Sequence, residues 1–289
     1  MISTEFTLSN IRTDFQSLSC LANFHKFLNE SKADSILLKF DTWFGANMCS
    51  PLGGILNIAK QSGKQFKIEK ITDDIESILS RNYFLNIFGI PERVDHHKTT
   101  IPYLEFQTEN EIEFLDYINN RLLSRSELPN MTKDLVKKIA ESIFEIFNNA
   151  KIHSESNQVF CCGQFFPRKN TIEFSITDIG IGIKNRIQKY ENIDIPAEKA
   201  IQWAMIPGNS TKRDDPGGLG LALLLEFTQM NRGAIQIASD EGYYSFNENY
   251  EKLLKMDCPF PGTCINMKFR TDDTSQYCLT SELDSSDIF

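Results

Sequence analysis

The chain contains no Cys-x-x-Cys pair. Its seven cysteines are odd in number and scattered; Cys161 and Cys162 are adjacent, and Cys258 and Cys264 lie six apart. That spacing argues against a zinc framework and for a reduced, cytoplasmic protein. Long apolar runs are also missing. The longest, ALLLEF, is broken by Glu226 and falls well short of the roughly 18 residues of a membrane span. The opening MISTEFTLSN has neither a basic start nor an apolar core, so no secretory leader is expected. Positive charge is in deficit: 30 Lys and Arg against 39 Asp and Glu give a formal net charge of −9. A broad nucleic-acid surface would need the opposite balance. Neither a GxGxxG dinucleotide fingerprint nor a GK[ST] phosphate loop occurs.

What is present suits a soluble globular protein. Hydrophobic residues make up 41% and charged residues 24%, and 289 residues fit two domains more naturally than one. In the first third, SILLKF (35–40) reads as a strand, Pro51 to Gln61 as a helix, Lys64 to Ile71 as a second strand, and the segment after Thr72 as a second helix with acids in its first turn. Strand, helix, strand, helix suggests a crossover unit with a partly parallel sheet. The polar stretch Gly89 to Pro102 is the best internal boundary.

Beyond it, YLEFQ reads as a strand and ENEIEFLDYINNRLL as a helix. Thr132 caps a long helix, KDLVKKIAESIFEIFNNAKIH, with an apolar stripe at Leu135, Ile139, Ile143, Ile146 and Phe147. Strands are expected at 157–166 and 171–178, helices at AEKAIQWAM and LGLALLLEFTQMN, and closing strands at GAIQIASD and CINMKF. The acidic tail, residues 271–289, is expected to be disordered.

Three segments carry chemistry. In EIFNNA, Glu145 and Asn149 lie one helical turn apart and share a stripe with Glu141. A carboxylate among apolar neighbours needs a partner, and a divalent cation on the Asn149 carbonyl beside a water on Glu145 would supply one. In DIGIG, Asp178 ends a strand, and Gly180 and Gly182 let backbone approach a ligand. In PGGLGL, Gly217, Gly218 and Gly220 open an apolar helix, where free amides make an anion site. Just upstream, NSTK (209–212) offers hydroxyls and an ammonium, and PGT (261–263) places a hydroxyl at a strand start. Taken singly, each also reads as ordinary structure: a solvated helix face, a turn with positive φ, a flexible link, a solvated loop. Their joint order is more specific.

In that order the segments resemble the GHKL superfamily, the Bergerat-fold ATP-binding module of type II topoisomerases, MutL-type repair proteins, histidine kinases and anti-sigma-factor serine kinases. EIFNNAKIHS resembles the N box, DIGIG the G1 box, PGGLGL the G2 box, and PGT the last shared turn. The resemblance covers about residues 108–270. It implies an α+β fold: a two-layer α/β sandwich over 106–270, preceded by a small α/β domain over 1–105. It implies ATP and Mg²⁺ as cofactors, with Glu145 as general base and Asn149 as metal ligand. Asp178 would accept from the adenine amine, with Gly180 and Gly182 lining base and ribose. Gly218, Leu219, Gly220 and Leu221 would give amides to the phosphates, and Thr263 would support adenine through water. Residues 183–216 would form a lid, with Ser210, Thr211 and Lys212 folding onto the phosphates.

The NA-x-x-HS pattern with His153 is closer to kinase-like and anti-sigma-like members than to gyrase. The first domain resembles a STAS-type domain, a pairing that would fit a bacterial protein. A phosphoacceptor H-[ED]-x-x-[NT] setting is missing around His25, His96, His97 and His153, so autokinase activity is not expected. A MutL-type transducer domain is not expected either. Three functions follow from the resemblance: an ATPase that drives a shape or partner switch, an anti-sigma-type serine/threonine kinase, and a non-catalytic nucleotide-gated module. Each implies a protein partner and allows a homodimer.

Overall fold

The computed structural model describes residues 2–153, 156–209, 220–247 and 250–282. The chain opens with β1 (Ser3–Ile11), α1 (Phe15–Glu30), β2 (Ser35–Phe44), α2 (Cys49–Gln61), β3 (Gln65–Ile71) and α3 (Asp73–Arg81). The three strands form a parallel sheet in the order β1-β2-β3. Parallel neighbours cannot be joined by a tight turn, and α1 and α2 supply the crossovers. Asp14 starts α1 by accepting the Ser17 N–H at 2.8 Å. One face of this sheet is wet: Lys39 pairs across it with Glu5 at 2.5 Å and Glu69 at 3.6 Å.

The second part comprises β4 (Thr100–Gln107), α4 (Glu111–Tyr117), which runs into a π-helical turn (Ile118–Leu123), β5 (Asn130–Met131) and α5 (Lys133–His153). Then come β6 (Gln158–Phe166), β7 (Thr171–Asp178), α6 (Gly182–Glu191), α7 (Ala197–Ala204), α8 (Gly220–Met230), β8 (Ala234–Asn247), β9 (Tyr250–Arg270) and β10 (Gln276–Tyr277). Five of these strands form an antiparallel sheet in the order β4-β6-β7-β9-β8. The molecule is thus of the α+β class.

Both faces of the five-stranded sheet are buried. One packs Phe174, Ile265 and Phe269 against α5 and α8 through Ile143, Phe147, Leu224 and Phe227. The other packs Phe160, Phe260 and Cys264 against α1 and α2 through Phe24, Leu52 and Ile55. Successive strand residues point to opposite faces, so adjacent Cys161 and Cys162 belong to different cores. A strand buried on both sides reads as a continuous apolar run, which is what NQVFCCGQFF shows. Helices α1 and α2 therefore lie between the two sheets.

A buried polar knot crosses this junction. Asn47 Nδ2 donates to Thr13 Oγ1, Ser175 Oγ and Asn266 Oδ1 at 2.9, 3.2 and 2.8 Å. The approach is closest at α2: a Cβ on Gly53 would sit 2.1 Å from Tyr103 Oη, and one on Gly54 2.6 Å from Ile179 Cδ1.

Three boundaries differ from expectation. Residue 105 falls inside β4, which pairs with β6, so the second sheet begins at Thr100. The 183–216 segment, expected as a lid with a helix at AEKAIQWAM, forms that helix as α7 and also carries α6 in its described part. The tail is ordered as far as Glu282: Tyr277 is buried, and its hydroxyl donates to Asp273 Oδ2 and lies 3.0 Å from Met230 O.

Candidate functional site

The long helix forms as the sequence predicts. Thr132 accepts the Leu135 N–H at 3.3 Å, and α5 lays Leu135, Ile139, Ile143 and Phe147 on the core. That register leaves Glu145 and Asn149 half-buried at the edge of the core. Glu141, on the same stripe, is exposed and paired with Lys138 at 2.7 Å, which removes it from the site.

Glu145 has a specific partner. Its Oε2 accepts the Gly220 N–H at 2.8 Å, at the first residue of α8. The first amides of a helix lack intrahelical acceptors and carry the positive end of the dipole, so a carboxylate there is stabilised. The glycine permits this close approach: a Cβ at 220 would lie 2.7 Å from that same Oε2 and 3.0 Å from Ser142 O. The structure thus brings EIFNNA and the end of PGGLGL together. The neighbouring Leu221 is half-buried against the core. Ser210, Thr211, Lys212, Gly218 and Leu219 lie outside the described residues.

The other end of the site is built from β7 and β9. Asp178, the last residue of β7, pairs in register with Thr263 of β9. Gly262 lies beneath them with φ 96°; a Cβ there would sit 2.2 Å from Asp178 O and 2.6 Å from Gly180 N. DIGIG and PGT are therefore in direct backbone contact. Thr263 is buried, and its hydroxyl is 3.0 Å from Ser239 Oγ, so it is part of a fixed hydroxyl cluster under the strand end.

Ser239 and Asp240 then anchor the start of α6. Ser239 Oγ accepts the Ile183 N–H at 2.9 Å, and Asp240 accepts from the Lys184 N–H at 3.1 Å and Asn185 Nδ2 at 2.7 Å. Gly182, with φ 79°, opens that helix against the Asp240 carboxylate rather than facing open space. Burial raises the Asp240 pKa to about 6, against the lowering effect of the Lys184 hydrogen bond.

Sequence reasoning missed Arg186. It is half-buried on α6, in the fields of both Asp178 and Glu145. Burial depresses its pKa, and Asp178, Glu145 and Tyr190 raise it again. Its Nε is buried and has no hydrogen-bond partner among the described residues. The signal was available: Ile183 and Ile187 recur at helical spacing inside the segment read as a lid, and Arg186 lies beside them.

Thiol chemistry is disfavoured. Burial pushes the pKa of Cys49 and Cys161 well up and that of Cys264 to about 12, so these thiols stay protonated. No group of three or more His, Cys, Asp or Glu is arranged to hold a metal ion among the described residues. Mg²⁺ does not need one, since it is commonly held by one or two protein oxygens with phosphates and waters. Asn149 and Glu145 offer donor types that suit such an ion. The space a Cβ would take at Gly182, Gly220 and Gly262 is held by the protein's own Asp240, Glu145 and Asp178–Gly180 atoms. No protein-family model matches the chain, and no curated protein matches its sequence.

Proposed function

We propose that this protein binds ATP with Mg²⁺ in a GHKL-type pocket between α5, the α8 N-terminus and the β7–β9 strand ends, and hydrolyses it to drive a conformational or partner switch. One observation carries the reading. The Glu145 carboxylate lies on the Gly220 amide, so the candidate base and the candidate anion site share one position.

The ion, when bound, neutralises charge on the phosphates. Asn149 presents a side-chain carbonyl toward it. The Gly220 and Leu221 amides would hold the phosphates, and Asp178 would accept from the adenine amine. Glu145 accepts a proton from the attacking water once its carboxylate leaves the Gly220 N–H. Arg186 supplies a counter-charge to Asp178 and Glu145, which otherwise repel an anionic ligand. Asn149 and Thr263 keep the roles the family resemblance gives them, and Thr263 acts through the Ser239 cluster.

Glu145→Ala tests the reading. Phosphate release should fall by about 10²-fold or more, the usual contribution of a general base, while ATP analogue binding persists. Unchanged release would remove Glu145 as the base. The same carboxylate serves a protein kinase if the acceptor is a serine hydroxyl, so labelled ATP with candidate partner proteins belongs in the same experiment. Label on a partner assigns the kinase. ATP binding with neither product assigns a nucleotide-gated module, with the N-terminal parallel-sheet unit as its partner-facing part.

A further inference from the structure

A second cavity lies away from that pocket and shares no residue with it. It is an open trough of about 900 Å³ between the end of α3, the 92–98 loop, the start of β4 and the π-helical turn. Five cationic side chains line it against three carboxylates, Glu92, Asp95 and Glu127, and a fourth, Glu76, reaches Arg93 from outside the lining; the balance is locally positive in a chain with a formal charge of −9.

Three of the cations are held. Arg81 pairs with Asp95 at 3.3 Å, Arg125 with Glu127 at 2.8 Å, and Arg93 with Glu76 at 2.6 Å. Lys98 and Arg121 are exposed and have no carboxylate partner among the described residues. These two are the cations in the lining left without a paired carboxylate, and Glu92, which accepts from Asn86, is the lining carboxylate outside these ion pairs.

The wall that presents them is tied together by polar contacts. The Arg125 side chain is only 10% exposed and also donates to Lys98 O at 2.6 Å. Lys98 is held at φ 49° and Tyr83, on the same wall, at φ 71°. Left-handed conformations cost a non-glycine residue energy and cluster at functional sites. Asn120 and Arg121 come from the π-helical turn, a rare geometry also enriched at such sites.

The form of the ligand follows from which backbone groups are taken. Although β4 is an edge strand, Arg125 Nη1 lies 3.5 Å from Thr100 O, the Tyr117 hydroxyl donates to Pro102 O at 2.7 Å, and the Tyr103 N–H donates to Asn82 O at 2.7 Å. An extended peptide has no free ladder to join there. Recognition falls to a guanidinium fork and an ammonium, which suit the oxygens of phosphate groups.

We propose that the trough is a binding site for a small phosphorylated molecule carrying two adjacent phosphate groups, recognised by Arg121 and Lys98.

The test is a calorimetric titration of the full chain with inorganic pyrophosphate at low salt. An Asn149→Ala background separates this trough from the nucleotide pocket. Binding should persist in that background, weaken with salt, and fall about tenfold or more in Lys98→Gln/Arg121→Gln, as expected for losing charged hydrogen bonds. Arg121→Lys, which keeps the charge and loses the fork, should lose part of it and guards against a folding defect in the double variant. Absence of binding, or equal affinity in parent and double variant, overturns the proposal. So does citrate binding as tightly as pyrophosphate, or a phosphoserine peptide binding about tenfold tighter. Loss of binding in Asn149→Ala alone would return the signal to the nucleotide pocket.

Discussion

Asp240 is the residue whose ionisation most directly reports on the fold around the site. Its folded pKa of about 6 lies above the roughly 3.9 of an unfolded aspartate. The folded state therefore binds that proton more tightly, and the stability this gives is fully present below about pH 4 and is lost as pH rises through 6. Asp240→Asn keeps an acceptor for the Lys184 N–H and tolerates the φ of 51° at this position. It should stabilise the protein at pH 7.5 by roughly 1–3 kcal/mol and flatten the pH dependence between 4 and 6. Equal melting temperatures for parent and variant at pH 7.5 would refute this. At residue scale much of the site was legible, because Glu145, Asp178, Gly220 and Gly262 stand in short segments with their own chemistry. Arg186 and Asp240 were not. The Ile183 and Ile187 spacing marks a helix at Arg186 but not its approach to Asp178 and Glu145, and Asp240 becomes an anchor only when β8 turns to meet α6.

Among the elements, the contact between the β7 end and the β9 turn is the most demanding. Gly262→Ala drives a Cβ into backbone atoms at 2.2 and 2.6 Å and strains φ as well. A loss of about 3 kcal/mol or more is expected, with weakened ATP analogue binding. Gly63→Ala is the control: its φ of 87° is equally left-handed, but nothing lies within 4 Å. It should cost only the conformational strain, about 1–2 kcal/mol. Similar melting-temperature losses in the two variants would mean that close approach contributes nothing. The sequence marks α5, β6, β7 and α8 clearly, because a one-sided apolar stripe or a long apolar run defines each. It marks β1 and α1 poorly. On β1 the outward Ser3, Glu5 and Thr7 dilute the alternation, and the last turn of α1 contains no basic residue.

For the molecule as a whole, the apolar face shared by the two parts governs what can be separated. A fragment starting near residue 95 would expose Phe160, Cys162, Phe260 and Cys264. It should aggregate or bind a hydrophobic dye strongly, as checked by size-exclusion chromatography. A monomeric fragment with the near-UV circular dichroism of the parent's second part would show that the two cores are independent. The sequence suggested two domains because the polar stretch 89–102 looks like a linker. It could not show that α1 and α2 would be buried on both sides, since that depends on where the second sheet lands.

The glycine pair of α2 gives this packing a mechanical meaning. With Gly54 pressed on the Ile179 side chain and Gly53 on the Tyr103 hydroxyl, the joint has almost no free play. Any displacement of Ile179 in the DIGIG turn would have to be taken up by α2, against which it is pressed, because Gly54 leaves no room between them.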